Sequence, residues 1–446
     1  MHTPLLAFTK EPTVGASPFD GDALNRVQLA EKLTGYIDRL NAGAVLAIDA
    51  PWGEGKTWFG KNWVKKLENE EYRVAYIDAF EQDYIEDPFM LLAAELLGMI
   101  EDKSQAKMLL TKKAVSVAKA TISIGAKVGM GLLAKYALGG VDLGEEIEDA
   151  ISDASGESAN LSTKWIEDSF EKHNENKNTI VAFKDELTKY ASSQDKPIVI
   201  FIDELDRCKP DFAVRLIERI KHFFDVPNVV FVLLLNREQL EKAVKGVYGS
   251  ETDGAAYLGK FVNFFFKLPK PSPKDYNPEQ HIEKFVVTTF HKYNFPKDES
   301  EAEIASLIMF FAIQFDLSLR DIERAIALYA FAYPVQKLNQ ILIYFIVIKQ
   351  KFPIKFVQMV EGNKDIHKEF QEKINTLLQI ATETGNTGNQ NALKIFKEWH
   401  EAYSSGFVTL GENYKRIHRF MNEWEDTKYE DMLPYFSKQI DLVIGR

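Results

Sequence analysis

Cysteine is all but missing. Cys208 is the one thiol in 446 residues, so no disulfide can form within the chain, and such usage points to a reducing, cytoplasmic setting. Positive charge is in deficit as well. A formal net charge of −12 leaves a surface that repels nucleic acid as a whole and argues against a DNA-coating role. Long apolar runs are lacking: "ILIYFIVI" falls short of the roughly 20 residues a membrane helix needs and reads as a core helix. The N-terminus "MHTPLLAFTKEPTVGASPFDGD" has no basic stretch leading into an apolar core, so it does not read as a signal peptide. The eight histidines show neither HExxH nor Cys/His ligand spacing, which gives no support to a structural metal. Asn363-Lys364-Asp365 lacks the NKxD spacing that reads guanine, so ATP is preferred to GTP. No solenoid-type repeat is present.

What remains is the composition of a soluble protein, 46% hydrophobic and 27% charged, long enough for about three domain-sized units. "DALNRVQLAEKLTGYIDRL" carries apolar residues at helical spacing, and "AGAVLAID" follows as a short buried strand. "TWFGKNWVKKLENEE" then reads as a helix and "YRVAYIDAF" as a second strand. This order opens a parallel α/β sheet. Lys112 to Val141 interrupt it with an Ala/Gly-rich segment in which Gly125 and Gly129 form a GxxxG. Lys119, Lys127 and Lys135 cut that segment into runs too short to span a bilayer, so it is predicted to be an amphipathic packing helix. The acidic stretch after it reads as a mobile continuation. Strands resume at "DKPIVIFIDELDRC" and "NVVFVLLL", with the helix "DFAVRLIERIKHFF" between them, and "GKFVNFFFKLP" is a fifth strand, read as buried. From Pro269 onward only helical periodicity is seen.

Two motifs carry chemistry. "APWGEGKTW" has the close of a phosphate-binding loop but holds Ala50 where glycine usually stands. In such a loop consecutive backbone N–H groups wrap phosphate oxygens at a helix N-terminus. Pro51, Trp52, Gly53, Glu54, Gly55, Lys56, Thr57 and Trp58 are the candidate nucleotide-binding residues. Gly53 and Gly55 allow close approach, Lys56 reaches the β- and γ-phosphates, and the Thr57 hydroxyl ligates Mg²⁺. Alanine serves at position 50 provided its φ is negative. The second motif is an apolar strand ending in acid: Asp203 is the candidate Mg²⁺ ligand, and Glu204 and Asp206 are the two candidates for orienting the attacking water.

With "YLGKFVNFFFKLP" and "SLRDIERAI" following in order, the sequence from about Phe19 to Tyr333 resembles the KAP P-loop NTPases. Trp52 within the loop and "DELDRC" after the strand are the distinctive marks. The resemblance implies a STAND/AAA-like ATPase core with a helical lid, in a family found in bacterial and plasmid systems that exclude phage and as animal membrane scaffolds. Many members carry transmembrane helices between the two motifs, where this chain has its lysine-interrupted insert. The sequence departs from the pattern at Glu204 and at Asn236, where the family often has aspartate. The resemblance makes Asn236 the sensor of water or γ-phosphate, with a plain helix cap as the alternative. It also makes Arg320 the lid arginine that reads the γ-phosphate and Arg324 its structural companion. Arg207 and Arg237 are alternatives for charge stabilisation, and Arg26 lies where the adenine side of the site passes.

The fold class read from the sequence is therefore α/β: a P-loop NTPase parallel-sheet core with a helical insertion, a helical lid and an α-helical C-terminal region. The expected division is 1–110 for the lead and first part of the core and 111–175 for the insertion. The second part of the core covers 176–268, the lid 269–345 and the C-terminal region 346–446. The expected function is an ATPase that uses ATP and Mg²⁺ to drive a conformational or oligomeric switch in a phage-defence system. Its expected partners are further copies of the chain or an effector encoded nearby. A non-hydrolysing, ATP-stabilised scaffold and a membrane-associated NTPase are the other readings.

Overall fold

The computed structural model describes residues 15–40, 42–85, 87–101, 104–121, 164–270, 278–293, 299–332, 339–422 and 428–440. Five strands, β1 (Ala44–Asp49), β2 (Val74–Asp78), β3 (Ile198–Asp203), β4 (Val229–Leu235) and β5 (Phe264–Lys267), form one sheet in the order β2-β3-β4-β1-β5. All its pairings are parallel. The central strands β3 and β4 are buried along their whole length, which is why they read as unbroken apolar runs rather than alternating ones.

Alternate residues of these strands feed two cores, as the two-residue period of a strand requires. Val199, Phe201, Val230, Val232 and Leu234 face α1 (Val27–Ile37) and α2 (Lys56–Asn69). Ile198, Ile200, Ile202, Phe231 and Leu233 face the opposite layer. That layer draws on α3 (Pro88–Gly98), α4 (Gln105–Thr121), α5 (Lys164–Ser192), α6 (Pro210–Phe223), α7 (Arg237–Tyr248) and α8 (Gly254–Leu258). Gly60 of α2 lies so close to β4 that an added Cβ would stand 2.2 Å from Leu234 Cδ1. The helix therefore sits tightly on the sheet and carries the phosphate loop with it.

The expected fifth strand is present but shorter, and it is not buried. Among the described residues β5 lies at the sheet edge with β1 as its only partner strand, and Phe264 is half exposed. Its aromatic rings are covered piecemeal instead, Phe264 by Tyr36 and Phe265 by the Arg237 guanidinium.

Beyond β5 every described element is helical: α9 (Pro278–His291), α10 (Glu299–Gln314), α11 (Leu319–Ala332), α12 (Asn339–Lys351) and α13 (Pro353–Val360). They continue as α14 (Lys364–Glu383), α15 (Thr387–Ser405), α16 (Glu412–Asn422) and α17 (Met432–Ile440). One apolar cluster runs from Ile282 to Ile440 and takes in Leu24 from the segment before α1, and position 345 falls inside α12. Of the insertion, α4 packs against α5; Gly125, Gly129 and the acidic stretch lie outside the described residues, apart from Lys164 and Trp165 at the start of α5. Among the described residues no helix is long and apolar enough to cross a membrane.

Candidate functional site

The sheet order brings the two motifs to one edge. β4 stands between β1 and β3, with Asp49 level with Leu235 and Asp203 level with Leu234. The loop after β1, the turn after β3 and Asn236 after β4 therefore emerge side by side, at the C-terminal edge where parallel sheets bind ligands.

The loop from Ala50 to Gly55 makes its turn through Gly53 at φ 86° and Gly55 at φ 75°, conformations glycine adopts without steric cost. Ala50 does not have a positive φ; its buried N–H donates to the Leu235 carbonyl at 3.2 Å. The glycine replaced at position 50 was thus not needed for backbone freedom. Lys56 is buried, and its ammonium donates to the carbonyls of Ala50 at 2.7 Å and Pro51 at 3.1 Å. Burial lowers its pKa, opposed chiefly by the charges of Asp206 and then Asp203. Trp58, in the first turn of α2, sets its ring edge-on to Phe19 at 5.8 Å.

Across from the loop, the Thr57 hydroxyl bonds the Asp203 carboxylate. Asp203 is almost wholly buried and burial raises its pKa, against which the bonds from Thr57 and Tyr76 act. The Tyr76 hydroxyl donates to Asp203 Oδ2 at 2.6 Å and the Glu204 amide to Oδ1 at 2.8 Å. Both oxygens are thereby oriented by this chain. Glu204 holds φ at 58°, a left-handed conformation uncommon outside glycine and one that recurs at functional sites. It pairs with Arg207 at 2.9 Å. Asp206 instead accepts from the Trp52 indole N–H through Oδ2, while its Oδ1 is shielded from solvent and accepts no hydrogen bond.

Asn236 caps α7, its side chain accepting from the Gln239 amide at 3.4 Å. Arg237 pairs with Glu241 at 2.8 Å and stacks on Phe265, so it and Arg207 are both engaged beside the site. The lid meets the loop directly. The Arg320 amide donates to the Gly53 carbonyl at 3.1 Å, and a Cβ built on Gly53 would meet Ser318 Oγ at 2.7 Å. The side chains of Arg320 and Arg324 are both exposed.

Arg26 is 1% exposed and donates through Nε and Nη2 to the Pro269 carbonyl at 3.1 and 3.0 Å. Its Nη1 lies 3.0 Å from where a Gly55 side chain would begin, so a side chain there would crowd Arg26 as well as strain the left-handed backbone. Burial lowers the Arg26 pKa to about 10, opposed by the charges of Glu54 and Asp22. Glu54 is likewise buried, which raises its pKa against the bond from Lys270. Lys270 donates 2.7 Å bonds to both Glu54 and Asp316, joining the loop to the turn between α10 and α11. Tyr76, Lys270, Asp316 and Ser318 are site neighbours that the sequence motifs do not single out. Tyr76 sits two residues before the end of a strand, where its proximity to Asp203 depends on the β2–β3 pairing.

A phosphate loop on the first strand of a parallel sheet, with a facing acid two strands away, defines a P-loop NTPase. The sequence profile of the KAP family P-loop domain matches residues 26–335, more than half of the chain, and the protein belongs to that family. The chain is 28% identical over 101 residues to the "Phage T7 exclusion protein" of Escherichia coli strain K12, covering 23% of this chain and 14% of that protein. It thus spans far less than the whole length of this curated relative. Among solved structures, it is similar to the Aeropyrum pernix ORC2 protein in its ADPNP–ADP complexes, at 12% identity and a TM-score of 0.35 over 98% of this chain and 96% of that one. It is also similar to Drosophila ORC bound to GC-rich DNA and Cdc6, at 11% identity and a TM-score of 0.25 over 98% and 82%.

Proposed function

We propose that the protein is an ATPase whose hydrolytic cycle switches the contact between the phosphate loop and the helical lid. The observation that carries this reading is the meeting of three parts at one place. The Thr57–Asp203 bond joins the two motifs, and the Arg320–Gly53 bond adds the lid. Thr57 and Asp203 are the residues that would hold Mg²⁺, an all-oxygen pair of the kind that ion takes alongside phosphate oxygens and water. When bound, Mg²⁺ would neutralise charge on the phosphates.

The chain's own residues do the rest by position and charge, as phosphoryl transfer demands. The loop amides and Lys56 would hold the phosphates, Lys56 exchanging its bonds to Ala50 and Pro51 for phosphate oxygens. Asp206 is the better placed of the two acids to orient the attacking water. Its Oδ1 is unpartnered, whereas Glu204 is held by Arg207. Arg320, on the lid, would favour ATP over ADP by a charge-assisted contact that ADP cannot offer. The similarity to a phage exclusion protein supports a setting in phage defence, with the signal passed to a further copy or an effector.

The test is steady-state ATP turnover by the full chain with Mg²⁺ and with chelator, beside the Lys56→Ala variant. Turnover that needs both Mg²⁺ and Lys56 is expected. Unchanged turnover in the Lys56→Ala protein places hydrolysis elsewhere.

A further inference from the structure

The Trp52–Asp206 contact is left unexplained by the phosphate-binding role of the loop. Tryptophan brings no phosphate ligand that a backbone amide would not supply, and Trp52 keeps 46% of its surface exposed. Half-exposed indole is an inefficient way to build a core, since the ring gains little by burial there. What the residue has is a single N–H donor, and that donor is spent on the carboxylate of Asp206.

The geometry around that carboxylate is selective. One oxygen is held by the indole and the other is shielded, with no partner. Asp206 is also the acid whose charge acts most strongly on Lys56, so it lies close to the phosphate-binding lysine. The neighbouring candidate, Glu204, is drawn aside by Arg207 at 2.9 Å and by its left-handed backbone. A carboxylate with one oxygen clamped and the other buried but unpaired has a single acceptor left to satisfy, in one direction. That is the requirement for orienting a water for in-line attack, where misplacement by about 1 Å can cost 10²-fold.

We propose that Trp52 is a positioning residue for hydrolysis: its indole N–H fixes the rotation of Asp206, so that Asp206 Oδ1 points at the attacking water. Trp52 stands in the loop that binds the phosphates, so the acid is aligned by the same segment that the nucleotide orders. This rests on the ATPase reading above and assigns the water to Asp206 through Trp52. The step itself is ordinary: water adds to the γ-phosphorus, the bond to the β-γ bridging oxygen breaks, ADP leaves, and Asp206 accepts the water's hydrogen bond or its proton.

The test is a double-mutant cycle on the full chain: Trp52→Phe, Asp206→Asn and both together, with kcat and KM for Mg·ATP, plus Trp52→His, which keeps a ring N–H. Trp52→Phe should lower kcat by about tenfold with KM changed less than about threefold. In the Asp206→Asn background it should cost nothing further, and Trp52→His should recover part of the loss. The indole N–H resonance of Trp52, assigned by its loss in Trp52→Phe, should move in Asp206→Asn without nucleotide. Several results would overturn the proposal: additive losses, a loss confined to KM, an indole resonance indifferent to Asp206→Asn, or faster turnover in Trp52→Phe, which would make the indole a plug. Absence of turnover in the parent protein would bring down both readings, and that is seen before any variant is compared.

Discussion

The amide of Arg320 donates to the carbonyl of Gly53 at 3.1 Å, so the first turn of lid helix α11 is hydrogen-bonded to the phosphate loop itself. The bond uses backbone atoms and leaves the Arg320 side chain exposed. Removal of that side chain therefore leaves the docking intact and deletes only its charge. Arg320→Ala should weaken ATP binding by about tenfold, the worth of one modest charge-assisted contact, with ADP affinity nearly unchanged. Titration calorimetry with both nucleotides checks this; an unchanged ATP/ADP ratio assigns the reading of the γ-phosphate to another cation.

Lys56→Ala should lower ATP affinity by roughly 10- to 100-fold, from the loss of a charge-assisted bond worth about 1.5–3 kcal/mol. A stability cost accompanies it, because the ammonium also satisfies the carbonyls of Ala50 and Pro51. About 1–2 kcal/mol is expected for groups left without a partner. Labelled-ATP binding and denaturant melts separate the two effects.

The two acids after β3 should behave differently. Asp206→Asn is expected to lower kcat by about 10²–10⁴, the usual range for a positioned base, whereas Glu204→Gln should change it by less than about tenfold. If Glu204→Gln stalls turnover and holds ATP tightly while Asp206→Asn does not, the water belongs to Glu204.

Arg26 should act on stability before it acts on nucleotide. Its fully buried guanidinium meets the Pro269 carbonyl with two N–H groups, a fork that lysine does not reproduce. Arg26→Ala should cost about 1–3 kcal/mol, the penalty for leaving the Pro269 carbonyl without its donors, and Arg26→Lys should recover only part of it. Urea denaturation followed by near-ultraviolet circular dichroism is the measurement.

The helical region has its own pH dependence. His367 Nε2–H donates to the Met359 carbonyl at 3.1 Å, which leaves Nδ1 to accept from His400 Nδ1–H at 3.0 Å. His400 Nε2 then accepts from the Tyr344 hydroxyl at 2.6 Å. Burial lowers the pKa of His367 to about 4, opposed by the Met359 bond; burial, and then the charge of His367, also holds His400 well below its usual value. Both rings are neutral when folded and take up protons near pH 6.5 when unfolded, so the unfolded state binds more protons in between. Stability from this pair is complete above about pH 6.5 and is lost as pH falls toward 4. For His367 the loss is on the order of 3 kcal/mol. Denaturant melts at pH 7.5, 6 and 5 should show a steeper decline for the parent than for His367→Gln; parallel curves would exclude the histidines as the cause.

Much of the core was legible because its signals are local. "AGAVLAIDAPWGEGKTW" places strand, loop and helix in order, and "PIVIFID" announces a buried strand ending in an acid. What stayed hidden depends on pairing across distance. Nothing local says that β4 inserts between β1 and β3, so the nearness of Asn236 to both motifs was inferred only from resemblance. Tyr76 looks like an ordinary strand aromatic until β2 is set against β3. The exposure of β5 is not legible either, because three consecutive phenylalanines read the same at an edge as in the middle of a sheet. Lys270, 216 residues from Glu54, is a plain surface-type charge in the sequence, and only the fold makes it the partner of that loop acid.

The single apolar cluster from Ile282 to Ile440 has a mechanical consequence. Helices that share one core move together, because close-packed interiors transmit displacement rather than absorb it. A shift of the first turn of α11 against Gly53 would therefore not lift a small flap. It would carry α9 through α17 along as one body, since their side chains share that core. If the nucleotide moves the lid as proposed, helices with no contact to the phosphate loop move as well, and labels placed on them would sense the change.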